Sequence, residues 1–114
     1  MSYNFIMVKK KHLIKPTKEI NLLQKIRDAI DNHNFKDMTH ASERAIERRI
    51  TRAEYLYVLK NGYHEKNKDK FEELYSSWNY SIRGKTLDKR ELRVIVSFDE
   101  NDMLIITVID LELE

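Results

Sequence analysis

The stretch Trp78-Asn79-Tyr80-Ser81-Ile82-Arg83, followed by Leu92-Arg93-Val94-Ile95-Val96-Ser97-Phe98 and then Met103-Leu104-Ile105-Ile106-Thr107-Val108-Ile109, decides the fold. In the first two runs the large apolar residues fall on every second position: Trp78, Tyr80 and Ile82, then Leu92, Val94, Val96 and Phe98. Successive side chains of a strand point to opposite faces, so this period predicts half-buried strands. The third run is apolar on both faces, which predicts a strand at the centre of a sheet. The polar turn Gly84–Arg90 and the short loop Asp99-Glu100-Asn101-Asp102 connect the runs. The expectation is a three-strand antiparallel meander.

Upstream the apolar period becomes helical. Pro16-Thr17 predicts the opening of a helix with Ile20, Leu23, Ile26 and Ile30 on its inner face. Leu22 and Ala29 widen that face, and Asp31-Asn32-His33-Asn34 ends it. A second helix is expected from Thr39, as N-cap, to Arg49. Thr51-Arg52-Ala53-Glu54 reads as a capping box, Thr at the cap and Glu three residues on. It opens a third helix carrying Tyr55, Leu56, Val58 and Leu59, and Gly62 suits a left-handed end. Residues 64–72 are charged and read as a loop or the start of a strand; Tyr3–Val8 reads as a short edge strand. The order gives an α+β fold, with N-terminal helices packed on one face of a C-terminal antiparallel β-meander. Residues 1–114 form one domain with its core at about 17–110.

Composition narrows the function classes. Of 114 residues 41% are hydrophobic and 35% charged, and the 10% of aromatics argue against a disordered chain. The formal charge of +2 does not announce a nucleic-acid binder, but its distribution is uneven. Residues 1–57 carry 12 basic and 7 acidic side chains, residues 58–114 carry 9 and 12. That asymmetry suggests one side facing a polyanion and an acidic side opposite. Cysteine is absent, which excludes disulfides, thiolate zinc sites and cysteine nucleophiles. No run reaches the ~18–20 apolar residues of a membrane span. In Met1–Ile14 the charges follow the apolar residues, the reverse of a signal peptide. A cytoplasmic protein without membrane association is expected.

One segment carries candidate chemistry: Met38-Thr39-His40-Ala41-Ser42-Glu43-Arg44-Ala45-Ile46-Glu47-Arg48-Arg49-Ile50-Thr51. His40, Arg44 and Arg48 recur every four residues and form one stripe on a helix, bordered by Ala41 and Ala45. Arg44 and Arg48 repel each other by about 0.2–0.5 kcal/mol unless an anion lies between them. That anion is either a bound ligand or Glu47, three residues after Arg44. In the second case the stripe is a solvated face with favourable helix-end charges. His40 with Glu43 is the nearest thing to a metal-ligand pair, but with no Cys and scattered histidines no metal site is expected. His12, His33 and His64 read as solvated, and Lys9-Lys10-Lys11 as a basic surface run. Two glycines cannot build a phosphate-cradling loop.

The pattern His40-Ala41, Arg44, Glu47-Arg48 and Ile50-Thr51 resembles a widespread bacterial domain of unknown function, usually grouped with the RelE-like and BrnT-like toxins. Asn61-Gly62, Ser81-Ile82-Arg83-Gly84, Val94-Ile95-Val96 and Ile105-Ile106-Thr107-Val108 fit the same likeness, which covers about residues 20–110. The slot after the second arginine, often Gly in that family, holds Arg49, so a different helix end is expected. The resemblance implies a RelE-like toxin fold and a metal-independent endoribonuclease of a toxin–antitoxin pair. Such an enzyme uses no cofactor, acts on RNA free or on the ribosome, and is neutralised by a cognate antitoxin protein. His40 would then serve in acid–base work. Arg44, Arg48 and Arg83 would grip phosphate. Trp78 and Tyr80 would stack on bases, and Thr107 would donate a hydroxyl. RelE-like toxins are usually strongly basic and this chain is not. The alternative is a non-catalytic RNA- or protein-binding module of the same fold.

Overall fold

A computed structural model describes residues 15–112. The edge strand expected at Tyr3–Val8, His12 and the run Lys9-Lys10-Lys11 lie outside them. In chain order the elements are α1 (Leu22–Asp31), β1 (Phe35–Asp37), α2 (Thr39–Glu47), α3 (Arg52–Asn61) and β2 (Tyr63–His64). A 3-10 turn (Lys66–Lys68) follows, then β3 (Lys70–Glu72), β4 (Ser77–Lys85), β5 (Glu91–Phe98) and β6 (Met103–Asp110). The fold is α+β: three helices pack on one face of a mixed sheet ordered β1-β6-β5-β4-β2, with β3 also paired to β4. The antiparallel meander β4-β5-β6 is the one the alternation predicts. Val94 stands between Ile82 and Val108, Val96 between Tyr80 and Ile105. Against them pack Leu22, Ile26, Ala41, Ala45, Tyr55, Val58 and Leu59 from the helices.

The sheet is larger than the expected meander. Phe35–Asp37 runs parallel to β6, and three residues are too few to show a period. β6 is an inner strand between β1 and β5, while β5 occupies the middle of the sheet. Strand β4 continues through Gly84 to Lys85, so the turn is shorter than Gly84–Arg90.

Helix α1 starts at Leu22, not at Pro16-Thr17, and Ile20 is 94% exposed rather than inward. Two long-range hydrogen bonds hold the preceding segment out of helix. Trp78 Nε1 donates to the Pro16 carbonyl at 2.9 Å, and the Glu19 N–H donates to Tyr80 Oη at 2.9 Å. The inward row is Leu22, Ile26 and Ile30. The N-cap of α2 is Met38, and Thr39 is already helical. Met38 is held extended because its N–H bonds the Ile105 carbonyl at 3.0 Å, continuing the β1–β6 pairing.

Helix α2 closes as the family pattern with glycine would. Ile50 N–H reaches the Ala45 carbonyl at 2.8 Å and Arg49 N–H the Ile46 carbonyl at 3.1 Å. This is a Schellman end with Arg49 in the left-handed region at φ 55°, so the expected departure does not occur. His33 at φ 59° closes α1 in the same way.

The capping box of α3 is present as predicted: Thr51 Oγ1 accepts from Glu54 N–H at 3.1 Å, and Glu54 accepts from Thr51 N–H at 2.8 Å. Gly62 at its end is not left-handed; its φ of −80° suits any residue. What requires glycine is space. A Cβ there would lie 2.5 Å from the Arg83 carbonyl oxygen and 2.6 Å from that of Val58. A Cβ on Gly84 would meet Gly62 Cα at 3.0 Å.

Two outcomes follow for stability. Gly62→Ala forces backbone apart and should cost about 2–3 kcal/mol in a denaturant titration. Arg49→Gly relieves left-handed strain of about 1 kcal/mol, partly offset by the freer unfolded chain. It should raise Tm by about 2–4 °C; a fall in Tm would contradict the strained cap.

Candidate functional site

The α2 stripe forms as its spacing requires. Ala41 and Ala45 are buried beneath it, and His40 is 85% exposed in its side chain. Its contacts to carboxylates are long: His40 Nδ1 to Glu43 at 3.8 Å, Arg44 Nη1 to Glu47 at 3.6 Å. Exposed pairs of this kind are worth about 0–1 kcal/mol. Both side chains are therefore free to turn toward an anion. Arg48 is tied to the fold. Its Nη1 donates to the Val108 carbonyl at 2.9 Å, on the edge of β6 beyond the end of the short β1. Arg90 reaches the same corner, donating to the Arg49 carbonyl at 2.9 Å.

Arg83 and Thr107 are on the other side of the sheet. Ile82, Val94 and Val108 face the helices, so the adjacent pairs Arg83–Arg93 and Ile95–Thr107 face away from them. There Arg83 Nε meets Glu91 at 2.5 Å and its Nη1 meets Glu65 at 3.1 Å, while Arg93 Nε meets Glu65 at 2.7 Å. The Arg93 hydrogen bond, with that of Arg83, holds the Glu65 carboxyl below its ordinary range despite opposing desolvation. The Glu91 hydrogen bond raises the Arg83 guanidinium above its ordinary value.

Tyr80 is 4% exposed and belongs to the core, so its ring offers no face to a base. Burial raises its phenol above the usual range. Trp78 is half-buried, bonded to Pro16, with Lys18 Nζ 4.6 Å from its ring centroid. The structure thus groups His40 and Arg44 on α2 with Arg48 at its C-cap, the helix ending at Glu47, two residues short of the expected end at Arg49. It puts Trp78 and Tyr80 at the edge and interior of the core, and leaves Arg83 and Thr107 across the sheet.

A second constellation was missed in the sequence. His64 is not solvated: its side chain is 13% exposed, and Nε2 lies 2.7 Å from Asp69 Oδ2. The Asp69 side chain is wholly buried. Its Oδ2 also meets Lys18 Nζ at 3.0 Å, and its Oδ1 accepts the Ser81 N–H at 2.9 Å. The Tyr80 ring stands edge-on to the imidazole at 5.9 Å between centroids. Both residues sit in the charged run 64–72, where nothing periodic marks either as buried. They turn inward because the 3-10 turn loops out between β2 and β3, both paired to β4. Among the described residues no three His, Cys, Asp or Glu side chains converge as a metal group. Among them, too, no helix is long and apolar enough to cross a membrane.

These features define a small α+β domain with a cation-bearing helix and a buried histidine–aspartate pair. Residues 38–110 match the family model DUF4258, a domain of unknown function, and the chain belongs to that family. The match runs from the N-cap of α2 to the last residue of β6, so it takes in the stripe, the His64–Asp69 pair and the meander. No curated protein and no solved structure matches the chain.

The Glu65 network has a pH signature. A carboxyl whose folded pKa is depressed stabilises the fold above its ordinary range and loses that contribution as pH falls through the folded value. Glu65→Gln should therefore lower stability at pH 7 by about 2 kcal/mol. The gap to wild type should begin to narrow as pH falls below the ordinary glutamate range and close only once pH is below the depressed folded value, where the wild-type carboxyl is neutral too. A gap that persists in acid would mean packing, not charge.

Proposed function

We propose that the protein binds RNA along the α2 stripe and acts there as a metal-independent endoribonuclease of a toxin–antitoxin pair, in the cytoplasm. The observation that supports this most is that His40 and Arg44 stand exposed on one line of a helix with only long carboxylate contacts. Arg44 and a free edge of the Arg48 guanidinium offer a phosphodiester fork-like donors. In the reaction His40 takes the proton of a 2′-hydroxyl, and that oxygen attacks the adjacent phosphorus. The bond from phosphorus to the 5′ oxygen breaks, the leaving oxygen takes up a proton from water, and His40 returns its own to solvent. Arginine stabilises the charge that develops on the phosphate. The products are a 2′,3′-cyclic phosphate and a 5′-hydroxyl end. The likeness of the His40–Thr51 pattern to the RelE/BrnT-like toxins supports the same reading, and a cognate antitoxin protein is the partner it implies.

A second reading is a non-catalytic RNA- or protein-binding module. It is favoured by the separation of Arg83 and Thr107 from the stripe and by the burial of Tyr80. The family resemblance assigns these residues to a cleavage site, and without them the stripe is a binding face.

Inducible expression of wild type beside His40→Ala separates the two. The enzyme reading expects growth arrest with wild type, none with the variant, and RNA cleavage that survives EDTA. Cleavage abolished by EDTA and restored by a divalent ion overturns the mechanism. Under either RNA reading, affinity falls with salt at a logarithmic slope of about −0.7 per phosphate contact, and Arg44→Ala flattens it by one contact. An unchanged slope removes the stripe from RNA binding.

A further inference from the structure

We propose that the hollow between α1 and β2 is a phosphate-binding site in which Arg27, Lys66 and His64 hold the anion. The hollow measures about 520 Å³, and its charged lining is Lys18, Glu19, Arg27, His64 and Lys66. Two of these charges are already satisfied. Lys18 is paired with Asp69 at 3.0 Å, and the Glu19 carboxylate with Lys25 at 2.7 Å. Arg27 and Lys66 make no salt bridge with any of the described residues. Two uncompensated cations therefore line one concave space, which an anion would relieve.

His64 adds direction to that charge. Its Nε2 is held by Asp69 at 2.7 Å, and the wholly buried Asp69 is itself held by Lys18 and the Ser81 N–H. An ionised Asp69 only accepts, so Nε2 carries the proton between them. The ring is thus oriented before any ligand arrives, as a carboxylate behind an imidazole does elsewhere. The other ring nitrogen, Nδ1, has no hydrogen-bond partner among the described residues, and it donates to a phosphate oxygen when the ring carries a proton on both nitrogens. A phosphate presents its non-ester oxygens, four in the free ion and two in a phosphodiester, each able to accept more than one hydrogen bond, to a bidentate arginine, a point-charge lysine and an imidazole together.

The site is separate from the α2 stripe. It lies at the β4–β2 end of the sheet, whereas α2 packs on β6. The shared chemistry is a phosphate group, carried either by a small free ion or by a phosphodiester chain. The full chain is titrated by proton–nitrogen NMR with inorganic phosphate and, separately, with single-stranded oligouridylate, both at constant ionic strength. Saturable shifts are expected at the Arg27 Nε–H, the Lys66 amide and the His64 ring. Saturation with inorganic phosphate alone identifies a free-ion site, and saturation with the oligonucleotide alone a chain site. The double substitution Arg27→Gln with Lys66→Gln should weaken that binding by about tenfold or more at unchanged Tm. Absence of saturable shifts with both probes overturns the proposal. So does persistence of the saturable His64 ring shift, at unchanged affinity, in the double variant. The shifts are read residue by residue, so the result stands apart from the fate of the α2 reading.

Discussion

The contact between Gly62 and Gly84 sets the rest of the molecule. The end of α3 rests directly on the backbone of β4, with room for no Cβ at Gly62 and little at Gly84. That approach seats Tyr55, Val58 and Leu59 in the core against Ile82 and Leu92. It also determines what comes next in the chain. Tyr63 and His64 emerge beside Arg83 and Ile82 and pair with them as β2. The following residues are then bound to run along β4, where Glu65 and Asp69 meet their partners. A clash at one glycine would therefore disturb both a helix and the charged edge that follows it.

That edge explains how a chain with 35% charged residues forms a domain. Its acids are used internally. Glu65 joins Arg83 to Arg93, and Asp69 joins His64 to Lys18. Asp37 accepts from Arg52 and from the Tyr55 hydroxyl, tying β1 to the start of α3. Burial and that hydrogen bond raise the Tyr55 phenol far above its ordinary range. Cations also cover aromatic faces, Lys18 over Trp78 and Lys25 over Phe98. The charges left without close partners include His40, Arg44, Arg27 and Lys66. They occur on two surfaces at opposite ends of the sheet, and both candidate sites rest on that division.

The parts legible in the sequence were those whose cause is local. The alternation of Leu92, Val94 and Val96 needs only the two-residue period of a strand to be read. The Thr51–Glu54 box needs four consecutive residues, and the α2 stripe only the helical repeat. Where a distant partner intervened, the local reading failed. Ile20 lies outside a helix because Trp78 and Tyr80 bond the segment before it. Met38 caps α2 because Ile105 holds its backbone. Gly62 is needed for the approach of β4 and not for its own dihedral angles.

The same division runs through the candidate sites. By itself the sequence determined that an α+β domain would form, that its strands would make a meander, and that His40 and Arg44 would stand one turn apart on a helix ending near Arg48. These follow from backbone geometry acting on neighbours in the chain. Only the tertiary structure decided what each chemistry-bearing residue would meet. Arg83 and Tyr80, three residues apart in one strand, take opposite faces by the strand period alone. But distant Glu65 and Glu91 commit Arg83 to an ion network, and packing of the helices buries Tyr80. Asp69 lies wholly buried in a run of lysines because β2 and β3 both pair with β4, so the turn between them loops out and the residue after it is carried back inward. Burial of a charge depends on partners far along the chain, here Lys18 and Ser81, and no local pattern records them.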